Sequence, residues 1–143
     1  MTVAASQIFH ATCVSVRGQG LLITGPSGSG KSSLALRMLT LGAQLVSDDR
    51  TLLWSENGQL HARCPAPEIA GLIEARCIGI LRSPEIDSTK VALVADLAQV
   101  EIERLPPLRR VTILGCDLPL VLQVQNDHFP NALMLYLRHG RQA

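Results

Sequence analysis

Apolar and polar positions change rhythm several times along this chain, and each change marks an element. In "ATCVSVRGQGLLITG", residues 11 to 25, Val14 and Val16 alternate with small or polar residues, "RGQG" supplies turn residues, and Leu21 to Thr24 form a second strand. The stretch reads as a hairpin with its turn centred near Gly18-Gln19. "KSSLALRMLTLG" is apolar on most faces and stops at Gly42, so it reads as a buried helix. "AQLVSDD" is a short apolar strand ending in two acids, and "TLLWSENGQLHAR" is a second hairpin turning at Asn57-Gly58. Pro65 and Pro67 then break the pattern. "EIAGLIEARCIGIL" reads as a short helix followed by a strand, and "RSPEIDSTK" as a polar loop. "KVALVADLA", "VTILG" and "LVLQV" read as three further strands, and "NALMLYLRHG" as a terminal helix. The sum is a mixed α/β domain with hairpins inserted around a central strand–loop–helix.

Composition narrows the class. The chain has 143 residues, enough for one domain, spanning 1–143. Hydrophobic residues make up 47% and charged residues 17%, which excludes a disordered chain. The formal net charge is +1, without a Lys/Arg run or basic–aromatic interleaving, so nucleic acid is not an expected partner. No apolar run approaches the roughly 20 residues that span a bilayer, so no membrane is expected. The N-terminal stretch has no basic segment followed by an apolar core and does not read as a signal peptide. Cys13, Cys64, Cys77 and Cys116 are scattered without a C-x-x-C pair, which suits free thiols in the cytoplasm.

One segment carries specific chemistry. "GPSGSGKS", from Gly25 through Pro26, Ser27, Gly28, Ser29 and Gly30 to Lys31 and Ser32, fits G-x-x-x-x-G-K-[ST]. Glycines here let the backbone approach closely and aim its N–H groups inward at an anion, aided by the N-terminus of the following helix. Lys31 would reach the terminal phosphates of a nucleotide, and the Ser32 hydroxyl would ligate magnesium. The motif follows the apolar strand "LLIT" and opens a helix, as that mechanism requires.

Phosphate chemistry also needs an acid, for metal or for a proton. Asp48-Asp49 and Asp96 both stand at strand ends. The Asp48-Asp49 strand directly follows the loop's helix, and in a strand–helix–strand unit its carboxyl end lies beside the loop. Antiparallel pairing about Gly18-Gln19 would set His10 opposite Ser27 and so bring an imidazole to the same place.

Together these residues resemble the HPr kinase/phosphorylase family. "FHATCVSVRGQGLLITGPSGSGKS" follows that family's order of histidine, hairpin and loop. "LVSDDR" matches its "ADDR" segment, "LIEARCIGIL" resembles its signature "LEIRGLGII", and "VALVADL" falls where it has another apolar strand. The resemblance implies a P-loop kinase domain of the phosphoenolpyruvate carboxykinase-like type, using ATP and magnesium. The implied acceptor is a serine of HPr, a small phosphocarrier protein of the bacterial sugar phosphotransferase system. Carried over by position, His10, Lys31 and Asp49 would be catalytic, Asp49 being the proton acceptor. Asp48 would assist, Ser32 and Glu74 would ligate magnesium, and Arg76 would lie in the signature loop. The resemblance thereby selects Asp48-Asp49 over Asp96. A cytoplasmic homo-oligomer is the expected state.

The chain departs from the family pattern in places. The loop serine is followed by Ser33 where the family has Glu, and Cys77 stands for the first glycine of the signature. The family's later "GRN" segment is missing, and the likeness fades after Leu97. The chain resembles the short form found in some proteobacteria. Loss of the "GRN" arginine implies a kinase with weak phosphorolysis, unless Arg109 or Arg110 substitutes. A small-molecule kinase on the same scaffold remains open, as does a nucleotide-dependent switch without catalysis, although a guanine-reading N-K-x-D is absent.

Overall fold

A computed structural model describes residues 6–143. Eleven strands and two helices follow one another along the chain: β1 (Gln7–Phe9), β2 (Thr12–Val16), β3 (Gln19–Thr24), α1 (Lys31–Thr40), β4 (Gln44–Ser47), β5 (Thr51–Glu56), β6 (Gln59–Arg63), β7 (Leu72–Ala75), β8 (Gly79–Arg82), β9 (Ser88–Val100), β10 (Arg109–Ile113), β11 (Cys116–Gln123) and α2 (Phe129–His139). Nine strands make one mixed sheet in the order β1-β5-β6-β9-β3-β2-β4, with β11 added to β9 and β10 to β11. β7 and β8 form a separate hairpin. The expected fold class, α/β with hairpins set around a central strand–loop–helix, is the one observed.

β9 organises the sheet. One edge pairs in parallel with β3; the other pairs with β6 over Ser88–Lys90 and then in parallel with β11 from Val94 onward. β3, β9 and β11 therefore end on the same side. Alternation along β3 sends Leu21 and Ile23 to one core and Leu22 to the other, all at 0% exposure. Burying each such side chain is worth about 1.5–3 kcal/mol, which makes β3 a firm base for the loop that follows it. The first core lies under α1 and α2 and includes Met38, Leu93 and Leu133. The second is closed by strands, with Leu53, Leu60 and Leu118. Gly20 is needed where β3 meets β9: a Cβ there would come within 2.6 Å of the Lys90 carbonyl oxygen.

Four details differ from the sequence reading. The first hairpin turns at Arg17-Gly18, both with positive φ (52° and 78°), so Val16 faces Gln19 and Thr12 faces Ile23. Two left-handed residues match the twist of the flanking strands, which fixes this shorter turn. The register expected to bring His10 to Ser27 is therefore not formed, and β2 begins only at Thr12. "EIAGLIEARCIGIL" holds no α-helix: Pro67–Ile69 make one 3-10 turn, and Leu72–Ala75 and Gly79–Arg82 pair as β7 and β8. Glu74 thus stands on a strand, in a segment whose apolar alternation is only four residues long and so resembles a helical turn. "VTILG" and "LVLQV" belong to one hairpin turning at Leu114-Gly115, where a leucine at φ 48° gives no sequence warning. β1 was also not expected; its three residues carry too short a pattern.

Candidate active site

The Gly25–Ser32 loop follows the carboxyl end of β3 directly and runs into α1. Gly30 takes φ 101° at the start of the helix, a conformation that other residues adopt only with strain. Lys31 is 6% exposed, and its ammonium donates to the carbonyls of Gly25 (2.9 Å) and Pro26 (3.2 Å). Those two residues hold the lysine from behind. Ser27, Gly28, Gly30, Lys31 and Ser32 line an open polar pocket.

The opposite wall comes from two corners of the chain. β1 pairs with β5 (Phe9 with Thr51) and β2 pairs with β4 (Cys13 with Ser47). Both ribbons bend at the same level, one at His10 and the other at Asp48–Arg50. Carried through the bend, the register sets Thr12 against Asp48 and His10 beside Asp49. The imidazole Nδ1 of His10 lies 3.3 Å from Asp49 Oδ1, and both side chains are about half exposed. Asp49 has φ 68°, and the Arg50 N–H reaches back to the Asp48 carbonyl at 2.7 Å. This is a three-residue γ-type turn, a strained form that surrounding contacts must hold. Ser47 Oγ donates to the Arg50 carbonyl, and the Asp49 N–H donates to Thr12 Oγ1 at 3.1 Å.

Asp48 and Asp49 have different surroundings. The Asp48 carboxylate accepts from Ser32 Oγ (2.7 Å), Thr12 Oγ1 (3.1 Å) and the Glu74 N–H (3.2 Å). It ties the loop serine, β2 and β7 together. The Asp49 carboxylate faces the pocket, along with Glu74, Arg76 and Ser33. The strand–helix–strand expectation holds, with β2 inserted: β4 is antiparallel to β2, which is antiparallel to β3, so β3 and β4 end together.

Most of the expected site residues meet here. Asp96, across from Thr24 on β9, does not: its carboxylate accepts the Ala98 N–H at 2.9 Å and is absent from the pocket wall. Ser29 lies on the far side of the loop, and its hydroxyl is buried without a partner among the described residues. Arg109 and Arg110 are not at the pocket. Arg109 makes a two-pronged ion pair with Glu101 (2.8 and 2.9 Å), and Arg110 pairs with Asp117 at 2.6 Å. The hydrogen bond from Arg109 holds the Glu101 carboxyl below its ordinary value of 4.5. Sequence reasoning missed Thr12, a buried threonine in an alternating strand whose type carries no site signal. Cys77, in place of the signature glycine, sits at the tip of the β7–β8 hairpin with φ 69°, so this chain bears strain that a glycine would relieve. The four cysteines are free thiols, and burial pushes the Cys13 thiol well up.

Among the described residues no cluster of three or more His, Cys, Asp and Glu encloses a cation. No helix among them is long and apolar enough to cross a membrane.

Fold and pocket together define the class: a mixed α/β domain whose glycine-rich loop meets an acidic corner at the carboxyl ends of its strands. Within that class, the chain belongs to the HPr serine kinase family, since the model for the HPr Serine kinase C-terminal domain matches residues 1–113. It is 43% identical over 72 residues to an HPr kinase/phosphorylase of Clostridium beijerinckii, covering 50% of this chain and 24% of that one. It is 34% identical over 120 residues to an HPr kinase/phosphorylase of Neisseria meningitidis, covering 78% of this chain and 37% of that one. The chain thus spans between a quarter and two-fifths of the length of these curated relatives. The solved structure of the Hpr(Ser) kinase/phosphatase from Coxiella burnetii superposes with a TM-score of 0.76 at 30% identity, over 92% of this chain and 94% of that one.

Proposed function

We propose that this chain transfers a phosphoryl group from ATP, with magnesium, to a serine of an HPr-like phosphocarrier protein. The observation that carries this reading is the facing of Lys31 and Ser32 on the loop against Asp49 on the acidic corner, across one open pocket. The residues suit a phosphate chain. A Cβ at Gly28 or Gly30 would meet nothing within 4 Å, so the backbone there borders open space. Ser32 and Glu74 would hold the magnesium ion, which takes oxygen ligands and neutralises charge on the donor phosphates.

In this reading Asp49 accepts the proton of the acceptor serine hydroxyl as its oxygen bonds to the terminal phosphorus. The bond from that phosphorus to the bridging oxygen breaks, and ADP leaves. Lys31 balances the charge on the transferred group. Asp48 orients Ser32, and His10 orients Asp49. Residues 1–143 act as one catalytic domain, working in the cytoplasm as a homo-oligomer. The test is incubation with labelled ATP, magnesium and the phosphocarrier of the same organism, followed by mapping of the label. Label on a carrier serine supports the reading. Label on a small metabolite, or ATP bound without transfer, replaces it with one of the other two functions.

A further inference from the structure

Three buried hydroxyls hold the corner that carries Asp48 and Asp49. Ser47 Oγ donates to the Arg50 carbonyl, Thr51 Oγ1 donates to the Ala11 carbonyl at 2.8 Å, and Thr12 Oγ1 donates to Asp48 Oδ1 at 3.1 Å. Thr12 Oγ1 also accepts the Asp49 N–H at 3.1 Å. Among the described residues, its side chain is the only one bonded to both aspartates. We infer that Thr12 is a positioning residue, whose hydroxyl sets the aim of the Asp49 carboxylate and ties it to the Ser32 side of the pocket. The inference rests on the reading of Asp49 as proton acceptor and names what holds that acceptor in place.

Asp49 needs such a support. Its carboxylate is about half exposed, with the imidazole of His10 beside it. Its backbone stands at φ 68°, where an aspartate stays only if contacts keep it there. Turning the Asp48–Asp49 peptide over would relax that strain. It would also take the Asp49 N–H off Thr12 Oγ1 and re-aim the carboxylate. Thr12 opposes this turn firmly. It is 0% exposed, so no bulk water competes for its oxygen, and a threonine side chain is stiff about χ1. A hydroxyl has one hydrogen and two lone pairs. The hydrogen goes to Asp48, which leaves a lone pair for the Asp49 N–H. Asp48 Oδ1 in turn accepts from Ser32 Oγ at 2.7 Å. One chain of hydrogen bonds therefore runs from Ser32 through Asp48 and Thr12 to Asp49. It sets the proton acceptor at a fixed place relative to the loop that would hold the donor. Such placement matters, since an error of about 1 Å can cost about 10²-fold in rate.

The test is steady-state kinetics of transfer from magnesium ATP to the phosphocarrier of the same organism. Thr12→Val keeps the shape of the side chain and removes both bonds. It should lower kcat by about fivefold or more, with KM for ATP within about twofold. Thr12→Ser keeps the hydroxyl and should retain at least about half of the wild-type kcat. In an Asp49→Asn background, Thr12→Val should cost less than about twofold, because a residue that acts through Asp49 then has no base left to aim. Thr12→Ala, which makes room for a water molecule beside the Asp49 N–H, should show the same pattern with a smaller loss. It carries the comparison if Thr12→Val fails to fold. Unchanged kcat in Thr12→Val would overturn the inference, as would equal losses from Thr12→Ser and Thr12→Val. So would the same fold-loss with and without Asp49→Asn, or a loss that lies in KM for ATP. Each of these results leaves the proposed function standing. A wild-type chain that transfers nothing to the carrier would overturn that function, and the inference with it.

Discussion

The carboxylate of Asp49 lies 3.3 Å from the imidazole of His10, although the two residues stand on different corners of the sheet. Neither corner alone makes a site. β1–β2 and β4–β5 bend at the same level because they are paired on both sides of the bend. The strained turn at Asp49 then aims its carboxylate at the pocket rather than along a strand.

Asp49→Asn should lower transfer by about 10²–10⁴-fold, the usual share of a general base, and leave ATP affinity within a few-fold. A proton acceptor acts in the chemical step and not in ground-state binding. Rate and affinity falling in proportion would make Asp49 a metal or structural residue instead. His10→Ala should lower kcat less than Asp49→Asn does, with KM for ATP unchanged.

Asp48→Ala should damage both folding and transfer. It leaves the Thr12 and Ser32 hydroxyls and the Glu74 N–H without their shared acceptor. Unpairing such groups costs about 1–3 kcal/mol where they are buried. Urea unfolding reads the stability loss. An unchanged midpoint would show that Asp48 does not tie β2, α1 and β7 together.

Lys31→Ala should abolish detectable transfer while the chain stays folded. Among the described residues, the ammonium's only protein partners are the two loop carbonyls of Gly25 and Pro26, which water can satisfy in its place. Transfer at the wild-type rate would remove the lysine from the chemistry.

The Glu101–Arg109 pair should matter for stability with a defined pH dependence. Its hydrogen bond lowers the folded-state pKa of Glu101 below the ordinary 4.5. A carboxylate with a depressed folded pKa stabilises the fold above its unfolded pKa and loses that contribution as pH falls through the folded value. The gap in unfolding midpoint between wild type and Glu101→Gln should therefore be full at pH 7 and shrink only below pH 4.5. A gap independent of pH would show that packing of the side chain, and not its charge, is what counts.

Phosphorolysis should be weak. Arg109 and Arg110, the nearest stand-ins for the absent family arginine, are held by Glu101 and Asp117 away from the pocket. An arginine at a transferring phosphoryl group can be worth a factor of about 10³ or more. With phosphorylated carrier and excess phosphate, pyrophosphate release should be at least tenfold slower than forward transfer. Comparable rates would assign the role to another cation, and Arg76 at the pocket wall is the one to replace first.

The sequence by itself determined the strand–loop–helix at the centre of this protein. Leu21–Ile23, the three loop glycines, Lys31 and the buried α1 are local patterns, with turn chemistry and periodicity contained in some thirty residues. The resemblance carried by "LVSDDR" and "LIEARCIGIL" also nominated Asp49 and Glu74 without saying how they meet the loop. Only the tertiary structure decided that. His10 reaches Asp49 through the pairing of β1–β2 with β4–β5, not through its own hairpin: the Arg17-Gly18 turn sets a register that pairs Thr12 with Ile23, and β2 begins only at Thr12. Thr12 joins the site through the same register. Asp96 has the apolar strand before it that Asp48-Asp49 has, yet its carboxylate closes onto its own chain at Ala98. The difference lies in which strand edge each residue lands on, and contacts between distant residues set that edge.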